Sequence, residues 1–111
     1  MIKSNFSITI PSSASDFIMK SLRVLGNPKT SVIMLVYSRL DSPAPNPPRF
    51  LIGEGGAEVL GLERHIELDG TRVYVQDFAA DNMTGKTLMV RAEKSKNDRG
   101  VEYDDEYLSV L

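Results

Sequence analysis

Residues 63–92 read ERHIELDGTRVYVQDFAADNMTGKTLMVRA, and they contain the most clearly separated turns and alternating segments of the chain. Apolar and polar residues alternate before and after Asp69-Gly70, a dipeptide that favours a tight hairpin turn. Because a half-buried strand shows this period of two, the pattern predicts two antiparallel strands over 66–75.

The second half of the same stretch predicts a helix and a further strand. Residues 77–83 read as a short helix, and Gly85 follows as a residue type that ends helices in the left-handed conformation. Alternation resumes over 88–92 and indicates a strand. The predicted order in this region is therefore hairpin, helix, strand.

Upstream of the hairpin the sequence predicts two strands and a helix. Residues 6–10 alternate and predict a short half-buried strand. Ser13 is placed to cap a helix that runs to Leu25, because apolar residues recur there with helical spacing. The continuous apolar and β-branched run over 30–37 predicts a central strand buried on both faces.

The remaining segments predict loops and two more strands. Four of the six prolines lie within 41–48, which predicts an extended loop because proline fixes φ and lacks an amide donor. A strand is predicted at 50–52, and the glycines of 53–61 predict a flexible connection. Residues 93–100 predict a solvated loop, and 101–111 predict a last strand.

The composition is that of an ordinary soluble globular protein. The chain has 111 residues, of which 41% are hydrophobic and 25% charged, and this length predicts one domain over 1–111. The formal charge of −2 gives no basis for nucleic acid binding, which normally needs a clustered positive excess. No apolar run is long enough to span a bilayer and no signal-peptide pattern is seen, so we expect no membrane association and a cytoplasmic location.

The order strand, helix, buried strand, loop, strand, hairpin, short helix and strand resembles the HesB/IscA-like family of A-type iron–sulfur carriers. The resemblance covers roughly residues 6–92 and is firmest over 66–90, which includes DGTRVYVQDFAADNMTGKTLMV. It implies an α+β fold, in which a single domain combines mixed β-sheets with two helices. It also implies self-association, since carriers of this family often form oligomers.

The chain contains no cysteine, whereas carriers of the resembled family hold iron or a cluster through three cysteine thiolates. Both ligand-bearing regions of the family are replaced here, the first by 37–48 and the second by 99–111. Because clusters need soft thiolate ligands, we predict no bound iron–sulfur cluster, no metal site and no other cofactor.

The function is predicted at the level of a class. A HesB-like scaffold without its cluster ligands favours a non-catalytic binding or interaction protein. The alternative is a small enzyme or an anionic small-ligand-binding protein, with Tyr37, Ser38 and Arg39 lining the cleft where the family holds its metal. Enzymatic activity is less favoured than a non-catalytic role, because the sequence shows no set of residues arranged for catalysis.

His65 is the only histidine, and the period of two places Glu63 and Glu67 on its strand face. This arrangement permits a metal or acid–base site. A single imidazole among exposed carboxylates more often belongs to a solvated strand face, and we favour that interpretation.

The proline-rich loop from Pro43 to Pro48 is the segment through which we predict a protein partner. It can adopt a polyproline conformation, and Tyr37 and Arg39 nearby are residue types enriched at interfaces. The alternative, which is the more frequent role of such segments, is a stiff connection whose prolines protect a sheet edge.

The C-terminal segment 107–111 places four apolar side chains among its five residues. Exposing all of them would forgo several kcal/mol, at roughly 1.5–3 kcal/mol per large side chain. The segment must therefore dock within its own fold or against another subunit, and the sequence predicts a homodimer.

Overall fold

The computed structural model of the protein describes residues 2–25, 31–36, 47–56, 59–68 and 70–111. Within them, seven strands and two helices form a small α+β fold. The elements are β1 (Ile2–Ser4), α1 (Ser12–Leu25), β2 (Ser31–Val36), β3 (Phe50–Gly55), β4 (His65–Leu68), β5 (Thr71–Val75), α2 (Asp77–Met83), β6 (Leu88–Lys96) and β7 (Glu102–Val110).

The strands form one mixed sheet in the order β1-β4-β5-β2-β3-β7-β6. β2 and β5 run parallel, and every other pair of neighbours runs antiparallel. β3 and β7 are registered at a single pair, Phe50 opposite Leu108. The long β6–β7 hairpin is therefore attached to the rest of the sheet at a narrow junction.

The core lies on the face of the sheet that the helices cover. Strands β2 to β7 contribute side chains to it, and the buried residues of β4 and β5 alternate because successive residues of a strand point to opposite faces. Its fully or nearly fully buried members are Ala14, Ile18, Met34, Phe50, Ile66, Leu68, Val73, Val75, Ala79, Ala80, Met83, Leu88, Leu108 and Val110.

The predictions of the hairpin, of both helices and of a central strand are confirmed. The predicted cap is wrong, because α1 begins at Ser12 and Ser13 therefore lies inside the helix. β4 and β5 pair with Ile66 opposite Val73, and β2 lies in the middle of the sheet. Gly70 and Gly85 have φ of 83° and 76°, the left-handed conformation that glycine adopts without steric cost. Among the described residues, no helix is long and apolar enough to cross a membrane.

The predicted strand at 6–10 is wrong. The first strand lies earlier, at β1, and the segment pairs with the sheet only through a bridge between Thr9 and Thr87. Phe6, Ile8 and Ile10 nevertheless pack against the core. The alternation was therefore a sign of one buried side of the chain, which does not require a ladder of hydrogen bonds.

Two predicted loops are also strands in the structure. Residues 53–55 continue β3, because Ser31–Ile33 of β2 lie opposite and supply their ladder partners. Residues 93–96 continue β6, because β7 pairs with it as far as Lys96 opposite Glu102. In both cases cross-strand pairing outweighs a weak local strand preference. The turn between β6 and β7 lies at 97–101.

The C-terminal segment docks largely within its own chain. Tyr107, Leu108 and Val110 are at most 8% exposed, whereas Leu111 is 80% exposed. The burial of this segment therefore needs no second subunit. The homodimer stays a prediction, and its subunit contact would involve a different surface.

Candidate functional site

Several residues singled out from the sequence lie outside the described residues. These are Tyr37, Ser38 and Arg39, together with Pro43 to Asn46 of the proline-rich loop. The end of that loop, Pro47 and Pro48, is described, and it leads into the most extensively bonded polar cluster of β6 and β7.

The connection between β2 and β3 is much longer than its ends require. Val36 ends β2 and lies directly opposite Phe50, which begins β3. Antiparallel neighbours can be joined by as few as two residues, so residues 37–49 are not needed merely to close this pair. Connections that exceed the length needed for closure are frequently binding loops.

Ser109 holds the end of this connection from the interior of the protein. Its side chain is fully buried, and its hydroxyl donates a hydrogen bond to the carbonyl oxygen of Pro48 over 2.6 Å. Burying a hydroxyl is unfavourable unless it finds such a partner. The position of Pro48 on the sheet is therefore determined by a buried polar contact.

Arg49 adds three further contacts to the same hairpin. Its guanidinium carbon lies 4.0 Å from the ring centroid of Tyr107, within the range of a cation–π interaction. Its Nη2 lies 3.3 Å from Oδ2 of Asp105 and 3.4 Å from Oε2 of Glu93. The Tyr107 hydroxyl also donates to Oε1 of Glu93 over 3.3 Å.

We call this cluster the anchor site. It comprises Pro48, Arg49, Glu93, Asp105, Tyr107 and Ser109. Glu93 and Asp105 face each other across the β6–β7 ladder, where two like charges repel. Arg49 bonds to both carboxylates and offsets this repulsion, so the hairpin and the end of the proline-rich loop stabilise each other.

A second charged cluster joins the chain before β4 to α2. Arg64 donates to Oδ1 of Asp81 over 2.8 Å, and to Oδ1 and the carbonyl oxygen of Asp77 over 3.2 Å each. These hydrogen bonds raise the pKa of Arg64 above its usual range. The cluster borders a depression of about 630 Å³ that Gly61 and Glu63 also line. Its carboxylates are bonded to the arginine and link α2 to the chain before β4.

His65 alternates along β4 with the buried Ile66, and its side chain is 19% exposed. Its Nε2 is 3.8 Å from Oε1 of Glu67, and its ring meets that of Tyr74 edge to face at 6.1 Å. Glu67 is bonded to Arg72 over 2.8 Å, and this hydrogen bond lowers the pKa of Glu67. Glu63 lies two residues before His65 and outside β4, and its carbonyl oxygen is 3.3 Å from Nδ1 of His65.

Within the described residues, no three His, Cys, Asp or Glu side chains are grouped to hold a metal ion. The sequence did identify the proline-rich segment but not its partners on β6 and β7, which are distant along the chain. Ser109 carried one local signal, since it is a polar residue between Leu108 and Val110 in an apolar strand.

Comparison with known proteins adds no identification. No family model matches the chain, and no curated protein or solved structure matches it. The resemblance to the HesB/IscA-like family therefore stays a prediction from the sequence.

Proposed function

We propose that the protein is a non-catalytic interaction protein that binds a protein partner through the proline-rich loop between Pro43 and Pro48. The observation that supports this function is the anchor site, which fixes the end of that loop on the sheet. The scaffold we propose is HesB-like, a choice supported by the hairpin, helix and strand that run from β4 to β6.

Anchoring matters for binding because an ordered ligand loses less conformational entropy when it is bound. Prolines restrict φ along the loop, and the contacts of Pro48 and Arg49 restrict the direction in which the chain leaves it. Tertiary contacts thereby order Pro48 and Arg49, and proline chemistry restricts φ at each proline of the loop.

The chemistry of the loop also indicates its partner. A polyproline segment is recognised by grooves lined with aromatic side chains, which contact the proline rings without needing amide donors from the ligand. Pro47 is exposed, whereas Pro48 is half-buried and its carbonyl oxygen is bonded to Ser109. We therefore expect the partner to contact Pro43, Pro45 and Pro47 rather than Pro48.

The test measures binding of the full-length protein to a panel of immobilised domains that have aromatic-lined proline-binding grooves. We expect at least one domain to bind, and the triple substitution of Pro43, Pro45 and Pro47 by alanine to weaken that binding at least about tenfold. Pro11→Ala is the matched control. It replaces the proline directly before α1. The carbonyl oxygen of residue 11 still accepts the hydrogen bond from the amide of Ser15.

Two results would contradict the proposal. One is that no domain binds, and the other is that the triple variant binds as well as the unaltered protein. The alternative function is examined with the same sample by titration with inorganic phosphate. Saturable shifts of the backbone amide signals of Ser38 and Arg39 would favour an anionic small ligand instead.

A further inference from the structure

β6 forms one edge of the sheet, and among the described residues most of this edge has no strand beside it. The opposite edge strand, β1, has only three residues, whereas β6 has nine. The start of β6 is covered by Thr9, which accepts a hydrogen bond from the amide of Leu88 over 2.9 Å. In the part of the chain that the structure describes, no other segment pairs with the outer side of β6.

The direction of the backbone groups along this edge follows from two hydrogen bonds. Leu88 donates away from β7, to Thr9, whereas the carbonyl oxygen of Thr87 accepts from Leu111 at the end of β7. In a strand, the backbone amide and carbonyl groups of successive residues point alternately towards one neighbouring strand and away from it. Val90, Ala92 and Lys94 therefore direct these groups away from β7, as Leu88 does. These groups form a template for another strand.

We propose that two copies of this chain pair through β6, antiparallel to each other, about a two-fold axis at Ala92. The contact spans residues 90–94 and joins the two sheets into one. Ala92 of one copy then lies opposite Ala92 of the other, and each donates one backbone hydrogen bond to its counterpart. Thr9 limits the contact, since it already occupies the edge at Leu88.

Charge selects this register over its neighbours. An axis at Ala92 places Arg91 opposite Glu93 of the second copy, and this favourable pair occurs twice. An axis at Arg91 would place two arginines opposite each other, an axis at Glu93 two glutamates, and an axis at Lys94 two lysines. Like charges directly opposite are unfavourable, and an axis at Val90 would need the outward amide of Leu88 that Thr9 already occupies, so the axis at Ala92 is favoured.

The state of Arg91 in a single chain is consistent with this pairing. Its Nε is buried without a hydrogen-bond partner, and its Nη2 reaches the carbonyl oxygen of Val110 only over 3.4 Å. Glu93 lies on the same face of β6, and its side chain is 60% exposed. The carboxylate of Glu93 from the second copy would give the Arg91 guanidinium an acceptor.

The first test is the oligomeric state of the full chain, measured by sedimentation equilibrium up to about 1 mM, since a contact of one strand pair is smaller than a standard interface. We expect the mass to approach twice that of the monomer. Ala92→Pro removes an outward amide and leaves the pairing with β7 intact, so it should raise the dissociation constant at least about tenfold. Lys96→Pro, outside the contact, is the matched control and should have little effect.

The second test uses charge reversal. Arg91→Glu places two like-charged pairs in the contact and should also raise the dissociation constant about tenfold. Arg91→Gln removes the charge without reversing it and leaves the contacts of Glu93 with Arg49 and Tyr107 in place, so it should have a smaller effect. A dimer that persists in Ala92→Pro would overturn the proposal, as would a protein that stays monomeric up to about 1 mM.

Cross-linking gives an independent measurement, because the chain has no cysteine of its own. Opposite residues in a hydrogen-bonded antiparallel pair have Cα atoms about 5.5 Å apart, which suits a disulfide. Ala92→Cys should therefore form a covalent dimer under mild oxidation. Ser95→Cys, which lies opposite residue 89 in this register, should not, and equal cross-linking of both variants would contradict the register.

Discussion

Replacement of Ser109 by alanine should destabilise the protein by breaking the contact between the sheet and the proline-rich loop. The Ser109 hydroxyl is fully buried and donates to the carbonyl oxygen of Pro48 over 2.6 Å. Ser109→Ala removes the donor, keeps the backbone of β7 unchanged, and leaves the carbonyl of Pro48 without this partner.

The expected loss is about 1–2 kcal/mol in the free energy of unfolding. A net intramolecular hydrogen bond contributes about 0.5–1.5 kcal/mol, and an acceptor left unpaired in a fully buried site costs about 1–3 kcal/mol. Pro48 is only half-buried, so water can partly replace the lost donor. The expected loss in the free energy of unfolding therefore lies in the lower part of the range that these two contributions span.

Urea denaturation followed by circular dichroism measures this loss. With a slope of about 1–2 kcal/mol per molar urea for a chain of this size, the midpoint should fall by about 1 M. Ser7→Ala is the matched control, because Ser7 is exposed, and its midpoint should move by less than about 0.3 M. Equal midpoints for the two variants would refute the role of the Ser109 hydroxyl in anchoring the loop.

Three other predictions follow from the core, the charged face and the composition. Leu108→Ala should cost about 2–5 kcal/mol in urea denaturation, because Leu108 is fully buried where β3 meets β7, whereas Leu60→Ala, at a side chain 80% exposed, should change stability by less than about 0.5 kcal/mol. Arg72→Gln should raise the pKa of Glu67 in an NMR titration; the folded-state pKa lies below the usual 4.5, so this pair stabilises the fold above that value and the contribution is lost as the pH falls through the folded pKa. Anaerobic incubation with iron and sulfide should leave the visible spectrum featureless, and an absorption band around 400 nm with stoichiometric iron would show that the absence of cysteine does not prevent cluster binding.

The sequence was sufficient for the elements whose local signals agree with their tertiary environment. The β4–β5 hairpin has both alternating residues and a turn dipeptide ending in Gly70, and α2 is followed by Gly85, which has the left-handed conformation. For α1, helical spacing of apolar residues correctly placed Ala14 and Ile18 in the core. These features depend on residues near each other in the chain, which a periodic pattern records.

The sequence was insufficient where partners from elsewhere determine the structure. The polar residues 93–96 become strand because β7 lies beside them, and the glycines of β3 become strand because β2 does. Conversely, residues 6–10 alternate as a strand would, yet they pack their apolar side chains on the core without joining the ladder. A local pattern reports which side of the chain is buried, but not what it pairs with.

In the candidate site, too, local sequence signals predicted one part and long-range contacts determined the rest. Composition alone drew attention to the prolines, because proline restricts the backbone wherever it occurs. The contacts of Ser109 and Arg49 depend on the folding of the β6–β7 hairpin, which brings residues 93, 105, 107 and 109 beside residues 48 and 49. No spacing in the sequence encodes that proximity. It also requires β3 to pair with β7, and these two strands are distant along the chain and meet at a single residue pair.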